Sequence, residues 1–165
     1  MSEKADFRSR AVLHPKGNRF EDMTTGRVFH HHWGRTITAG DNAQFSSQTL
    51  SFCPLYFNEP YAQSLGHPRT VVNPLLVFNT VFGLTVEDLS EGGGPFLGVD
   101  ECEFVEDVYI GDTLSARSTV VAARESKGQP DFGIVTWHTE GFNQHRTKVL
   151  DYHRTNLVRK RGDEP

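Results

Sequence analysis

The run that follows Asn73 restricts the fold of this chain more than any other segment. Asn73 can cap a helix, and Pro74 is preorganised for the first helical position. Beyond them come Leu75, Leu76, Val77, Phe78, Val81, Phe82 and Leu84, which point in nearly every direction around a 3.6-residue wheel. A helix that is apolar all round has to be covered on most of its sides. At about 12 residues it falls short of the ~20 needed to cross a bilayer, so protein must do the covering.

The covering material follows in sequence. Residues 96–109, 112–124, 132–142 and 148–158 are rich in Val, Thr and aromatic side chains and are separated by turn residues, so each is expected to be a strand. Gly111 and Asp112, then Gly128 to Pro130, then Asn143 to Arg146 supply the turns, and strands so joined are expected to form an antiparallel meander. Leu114, Ala116, Val120 and Ala122 alternate with Thr113, Ser115, Arg117 and Thr119, which marks a strand with one buried face. Gly92, Gly93, Gly94 and Pro95 make a loop. Upstream, residues 28–38 read as extended, with a bulge or turn at Gly34. Thr38 and Asp41 have capping-box spacing for a helix running to about Gln48. Asn58, with Pro60 in the first turn, opens a short helix that Gly66 can end. The expected fold class is α+β: a single hot-dog domain, a curved antiparallel β-sheet wrapped around one buried apolar helix. It should span residues 20–158, between a loosely held arm (1–19) and a charged tail (159–165).

Composition narrows the function. The 165 residues suit one domain. Lys and Arg number 17 against 21 Asp and Glu, and the resulting −4 argues against nucleic acid as the partner. Cys53 and Cys102 belong to no CxxC pattern and read as reduced thiols, which with the polar first ten residues points to the cytoplasm rather than export or a membrane. His30, His31 and His32 would alternate on a strand, so only two share a face, fewer than zinc requires; no metal or cofactor is expected. Asp41 reads as a capping acid, and Arg159, Lys160 and Arg161 as a solvated end.

Two stretches carry a family resemblance. Thr49 to Asn58 followed by Tyr61-Ala62, with its framework of Pro54, Leu55, Tyr61 and Ala62, resembles the N-terminal motif of the MaoC-like, R-specific enoyl-CoA hydratases. Tyr109-Ile110-Gly111-Asp112-Thr113-Leu114 resembles that family's strand–turn–strand signature. Val72-Asn73, Gly83 to Val86, Arg124 to Ser126 and Gly133 to Thr136 are similar to the mesaconyl-CoA hydratase branch. The resemblance covers about residues 20–160. It implies a coenzyme A thioester as substrate, with CoA entering as part of that substrate, and a site shared between protomers, hence at least a homodimer.

Hydrating an enoyl thioester needs a base for water, an acid for the α-carbon and a donor to the thioester carbonyl. The family places an Asp and a His five residues apart on one loop for the proton transfers. The aligned positions here are Ser51 and Tyr56, neither of which is a ready base at neutral pH. Where the family's core helix opens with a Gly N–H in the oxyanion hole, this chain has Pro74, which has none; Leu75 is next in line to supply one. The resemblance therefore assigns Ser51 and Tyr56 to the water site with Asn58 orienting them. It assigns Asn73 and Leu75 to the carbonyl end; His32, which precedes the helix leading to Ser51, is a further candidate for a substrate contact and for the missing base. The function implied is addition or removal of water across a short, branched or dicarboxylic enoyl-CoA. The alternatives are a non-catalytic acyl-CoA-binding module or partner subunit, and a thioesterase in which Asn58 or Asp41 aims the water.

Overall fold

Each long helix begins at the cap its sequence announces. Thr38 Oγ1 accepts the Asp41 N–H at 3.1 Å while Asp41 Oδ2 accepts the Thr38 N–H at 2.9 Å, and α1 spans Ala39–Gln48 behind this capping box. Asn58 Oδ1 accepts the Tyr61 N–H at 3.1 Å and opens α2, Glu59–Ser64. Asn73 Oδ1 accepts the Leu75 N–H at 3.0 Å and opens α3, Pro74–Leu84, followed by the single turn α4, Val86–Leu89. The structure, a computed structural model, describes residues 17–162; residues 1–16 of the expected arm and 163–165 of the expected tail lie outside the described residues.

Among the described residues, six antiparallel strands form the sheet: β1 (Val28–His30), β2 (Arg35–Thr36), β3 (Phe96–Phe104), β4 (Thr113–Glu125), β5 (Phe132–Phe142) and β6 (Lys148–Arg159). The order is β1-β4-β5-β6-β3, with β2 also paired to β4. This is the hot-dog arrangement, with α3 laid against the inner face. Three details differ from the expectations. The 28–38 stretch is two short strands with residues 31–34 looped between them. The strand beginning at Phe96 stops at Phe104 and sits beside β6, not beside β4, so only β4, β5 and β6 form a meander. The physical reason is the path of residues 105–112: Val71 bridges Tyr109, and the Val72 N–H reaches the Val108 carbonyl at 2.8 Å, so the chain is held against residues 71–72 before it turns into β4. Finally, Ala122 is exposed. A bulge between Val120 and Ala122 inserts Val121 and passes the inward face to Ala123.

Val77 and Val81 of α3 pack on Leu114, Ala116, Val149, Leu150 and Tyr152. A Cβ on Gly141 would meet Val81 at 2.8 Å, so glycine is what lets the helix approach the sheet. A second cluster, with Met23, Phe29, Leu89, Val135 and Trp137, fills the space under α4. Phe78 stacks edge-on against Tyr152, and Phe82 against Phe96, at centroid separations of 5.2 and 5.6 Å. The helix is not covered on every side, however. Leu75 is 53% exposed, and the open side continues onto Phe96 and Leu97 at the edge of β3 that, among the described residues, pairs with no strand. The residues read as a solvated end are tied down: Arg159 completes β6, Lys160 pairs with Glu125, and Arg161 pairs with Asp22.

The buried histidine of the triplet gives a first expected result. His31 Nδ1 lies 2.6 Å from Asp88 Oδ2, and Nε2 lies 2.9 Å from Ser118 Oγ, which meets Thr139 Oγ1 at 2.8 Å. Burial lowers the His31 pKa against the opposing pull of Asp88. The unfolded chain therefore binds a proton at His31 before the folded protein does, so stability falls as pH drops below the ordinary histidine value of about 6.5. Asp41, held low by its bonds to Thr38, adds a loss below the usual carboxylate range near pH 4. The melting temperature should therefore decline from pH 7 to pH 5, and His31→Gln should flatten that decline. Equal slopes for the two proteins would show that His31 is not the group responsible.

Candidate active site

The loop after α1 is built from backbone bonds. Leu50 adopts a left-handed conformation (φ 56°), the Ser51 N–H returns to the Ser46 carbonyl at 2.8 Å, and Cys53 follows with a bond to the Ser51 carbonyl at 2.9 Å. Pro54–Tyr56 forms a 3-10 turn. Asn42, fully buried on α1, fixes the end of this turn. Its Nδ2 donates to the carbonyls of Tyr56 and Val71, both at 3.0 Å, and its Oδ1 accepts the Asn73 N–H at 2.8 Å. One amide thus joins α1, the Tyr56 turn and the start of α3. Sequence reasoning passed over Asn42, because an asparagine inside a helix carries no local sign of its distant partners.

The result is a cavity of about 320 Å³ at the N-terminal end of α3, lined among others by Tyr56, His67, Pro74, Val77, Phe104 and Asp107. Burial first, then the charges of Cys53 and Asp107, push the Tyr56 phenol above its ordinary pKa, so it is a donor at neutral pH. Ser51 is half-buried on the same loop but does not line this cavity. Asn58 is exposed, and its side-chain oxygen is engaged in capping α2. Asn73 is buried, with Nδ2 donating to Ser46 Oγ at 3.1 Å. The Leu75 N–H, expected to face a thioester, is taken by Asn73 Oδ1. Within one chain His32 is elsewhere: it lies 3.6 Å from Glu87 of α4, beyond the C-terminal end of α3, whose 11 residues span ~15 Å. Sequence reasoning also passed over His67, which shares the cavity with Tyr56. Among the described residues, no three His, Cys, Asp or Glu side chains are gathered to hold a metal ion.

A curved antiparallel sheet closed over an apolar helix, with a cavity at that helix's N-terminus beside a Pro-Leu-Tyr turn, defines a hot-dog domain of the MaoC type. The chain belongs to the mesaconyl-CoA hydratase family, whose profile matches residues 4–164. It is 40% identical over 153 residues to the mesaconyl-CoA hydratase of Haloarcula hispanica, covering 92% of this chain and 43% of that protein. It is 43% identical over 145 residues to the beta-methylmalyl-CoA dehydratase of Chloroflexus aurantiacus, covering 88% of this chain and 41% of that one. The chain thus spans about two fifths of the length of these curated relatives. Among solved structures, a MaoC domain protein dehydratase from Chloroflexus aurantiacus superposes with a TM-score of 0.84 at 43% identity, over 90% of this chain and 42% of that chain. A Mycobacterium tuberculosis protein with a double hot-dog fold gives 0.78 at 23% identity, over 90% of this chain and 46% of that chain, and a likeness this distant bears on the fold alone.

Proposed function

We propose that this chain adds and removes water across the double bond of a short, branched or dicarboxylic enoyl-CoA, in the cytoplasm and as one hot-dog domain of a pair. The observation that carries the reading is the placement of Tyr56. The loop aligned with the family's catalytic segment delivers a protonated phenol into a cavity at the N-terminal end of α3. In this reading the cavity takes the acyl thioester, and Tyr56 donates to its developing oxyanion. Ser51, which does not line the cavity, supports Tyr56 from the same loop, while Asn58 serves the water site indirectly by fixing α2. For Leu75 to polarise the thioester, the substrate oxygen must replace Asn73 Oδ1 as acceptor of its N–H. CoA is part of the substrate, and no separate cofactor is required.

The second domain is called for by the open side of α3 and by the edge of β3, which among the described residues pairs with no strand; Leu75, Phe96, Leu97 and Phe104 are exposed there. A second copy of this chain is the partner proposed. Free Cys53 and Cys102 are consistent with a reducing compartment, and among the described residues no helix is long and apolar enough to cross a membrane.

The test is to incubate the purified chain with a panel of enoyl-CoAs and follow the gain of one water mass. Tyr56→Phe should lower turnover about tenfold or more. An unchanged rate would remove Tyr56 from the site. Tight binding of acyl-CoA without turnover would mean a binding module instead, and release of free CoA a thioesterase.

A further inference from the structure

The hydratase reading leaves one requirement unmet. A proton must leave water and a proton must reach the α-carbon, yet Ser51 and Tyr56 provide no group that accepts a proton at neutral pH, and burial makes Tyr56 a still poorer acceptor. Resting on that reading, we propose that His67, oriented by Asp107, is the general base of this cavity.

Geometry carries the assignment. His67 lines the same cavity as Tyr56, and its side chain is 24% exposed, accessible but restrained. Nδ1 lies 3.4 Å from Asp107 Oδ2 and 3.3 Å from the Tyr109 hydroxyl, while among the described residues Nε2 makes no hydrogen bond. In the tautomer with the proton on Nδ1, facing Asp107 and Tyr109, the Nε2 lone pair is free to accept a proton, as a base requires. Separations of this size tighten when substrate excludes water from such a site.

The chain is also built to bring these two residues together from 40 positions apart. Gly66, at φ 94°, ends α2 in a conformation that glycine adopts without strain, and the His67 N–H then bonds to the carbonyl of the fully buried Ala62 at 3.1 Å. Downstream, the Val71–Tyr109 bridge and the Ile110 N–H on the Thr70 carbonyl (3.3 Å) hold the 70–72 segment against 108–110. These bonds fix the backbone on either side of the pair. Arg69, the nearest cation in sequence, pairs with Asp112 at 3.1 Å and lies 5.8 Å over the Tyr109 ring, and among the described residues it makes no ion pair with Asp107.

In hydration, Nε2 takes a proton from water and the water oxygen forms a bond to the β-carbon. The π electron pair moves through the α-carbon onto the thioester as an enolate, whose oxygen accepts a hydrogen bond from Tyr56. The imidazolium then returns its proton to the α-carbon. One water is added and no net proton is exchanged. Dehydration is the reverse.

The test compares wild type, His67→Gln, His67→Ala and Asp107→Asn, each checked for an unchanged thermal melt, on whichever enoyl-CoA wild type hydrates. His67→Gln should lower kcat at least about 100-fold with KM within about threefold. Wild type should show an acid limb in log kcat against pH, which His67→Gln abolishes. Added imidazole should restore at least tenfold activity to His67→Ala, an effect that a packing role could not produce. Asp107→Asn should lower kcat about tenfold with KM unchanged. Wild-type turnover that persists in His67→Gln, or His67→Ala that folds but gains nothing from imidazole, overturns the assignment and leaves the hydratase reading standing. No turnover by wild type on any enoyl-CoA overturns both.

Discussion

Asn42→Leu should be the most damaging single change in the described structure: a protein that is insoluble or melts at least about 10 °C lower. The substitution keeps volume and apolar packing but removes three hydrogen bonds at once. It orphans the Asn73 N–H and leaves the carbonyls of Tyr56 and Val71 without their amide donor. Each buried, unsatisfied group costs about 1–3 kcal/mol, so a loss of about 4 kcal/mol or more is expected. Against a total stability of about 5–15 kcal/mol that is decisive, and in a domain of this length 1 kcal/mol moves the melt by about 2–4 °C. Asn42→Ala should be milder, because the space admits water to the same groups. Thermal melts of the two variants decide the matter, and a Leu variant as stable as wild type would mean that these three bonds contribute little.

The second large effect is at Arg154. This residue is buried (2% exposed), yet among the described residues it forms no ion pair. Its guanidinium is held by neutral acceptors instead: Nε donates to Asn156 Oδ1 at 2.9 Å, Nη1 to Thr85 Oγ1 at 3.0 Å and Nη2 to Ser90 Oγ at 2.7 Å. It also lies 4.0 Å over the Phe82 ring and 5.9 Å from that of Trp137. Burial lowers its pKa to about 10, the expected sign for a cation stripped of water. Arg154→Lys should cost about 3 kcal/mol or more, because an ammonium is more strongly hydrated and cannot match a planar fork bonded in three directions. Arg154→Met, which removes the charge and keeps much of the volume, should be the less damaging variant. Chemical denaturation of the two variants would show the order, and a Lys variant that matches wild type would show that fork geometry is not what holds the charge.

Asn42 and Arg154 mark the limit of what was legible in the sequence. Features governed by neighbours in the chain were readable. Thr38 with Asp41, Asn58 with Pro60, and Asn73 with Pro74 each announced a helix start, because a cap is satisfied within three residues. The span of β5 matched its apolar pattern to the residue. The position of β3 was not readable, since the pattern of a strand says which face is buried but not which strand lies beside it. Ala122 was misplaced because a one-residue bulge reverses every side chain after it. In the candidate site the aligned loop pointed to Tyr56 directly, whereas His67 and Asp107 lie far apart in sequence and in no recognised motif.

The sequence alone determined that this chain would bury an apolar helix under an antiparallel sheet, because periodicity, caps and turns are local properties. It also determined that the loop after α1 would carry Ser51 and Tyr56, the positions that the family resemblance aligns with a proton-transfer pair. Only the tertiary structure decided what surrounds that loop. It closed a cavity with Tyr56, His67 and Asp107 on its wall and set His32 at the far end of α3. It also left one side of α3 open. The reason is the same in each case. A hydrogen bond between residues 42 and 73, or a contact between 67 and 107, depends on how the sheet and helices pack, and no local preference of either residue encodes it.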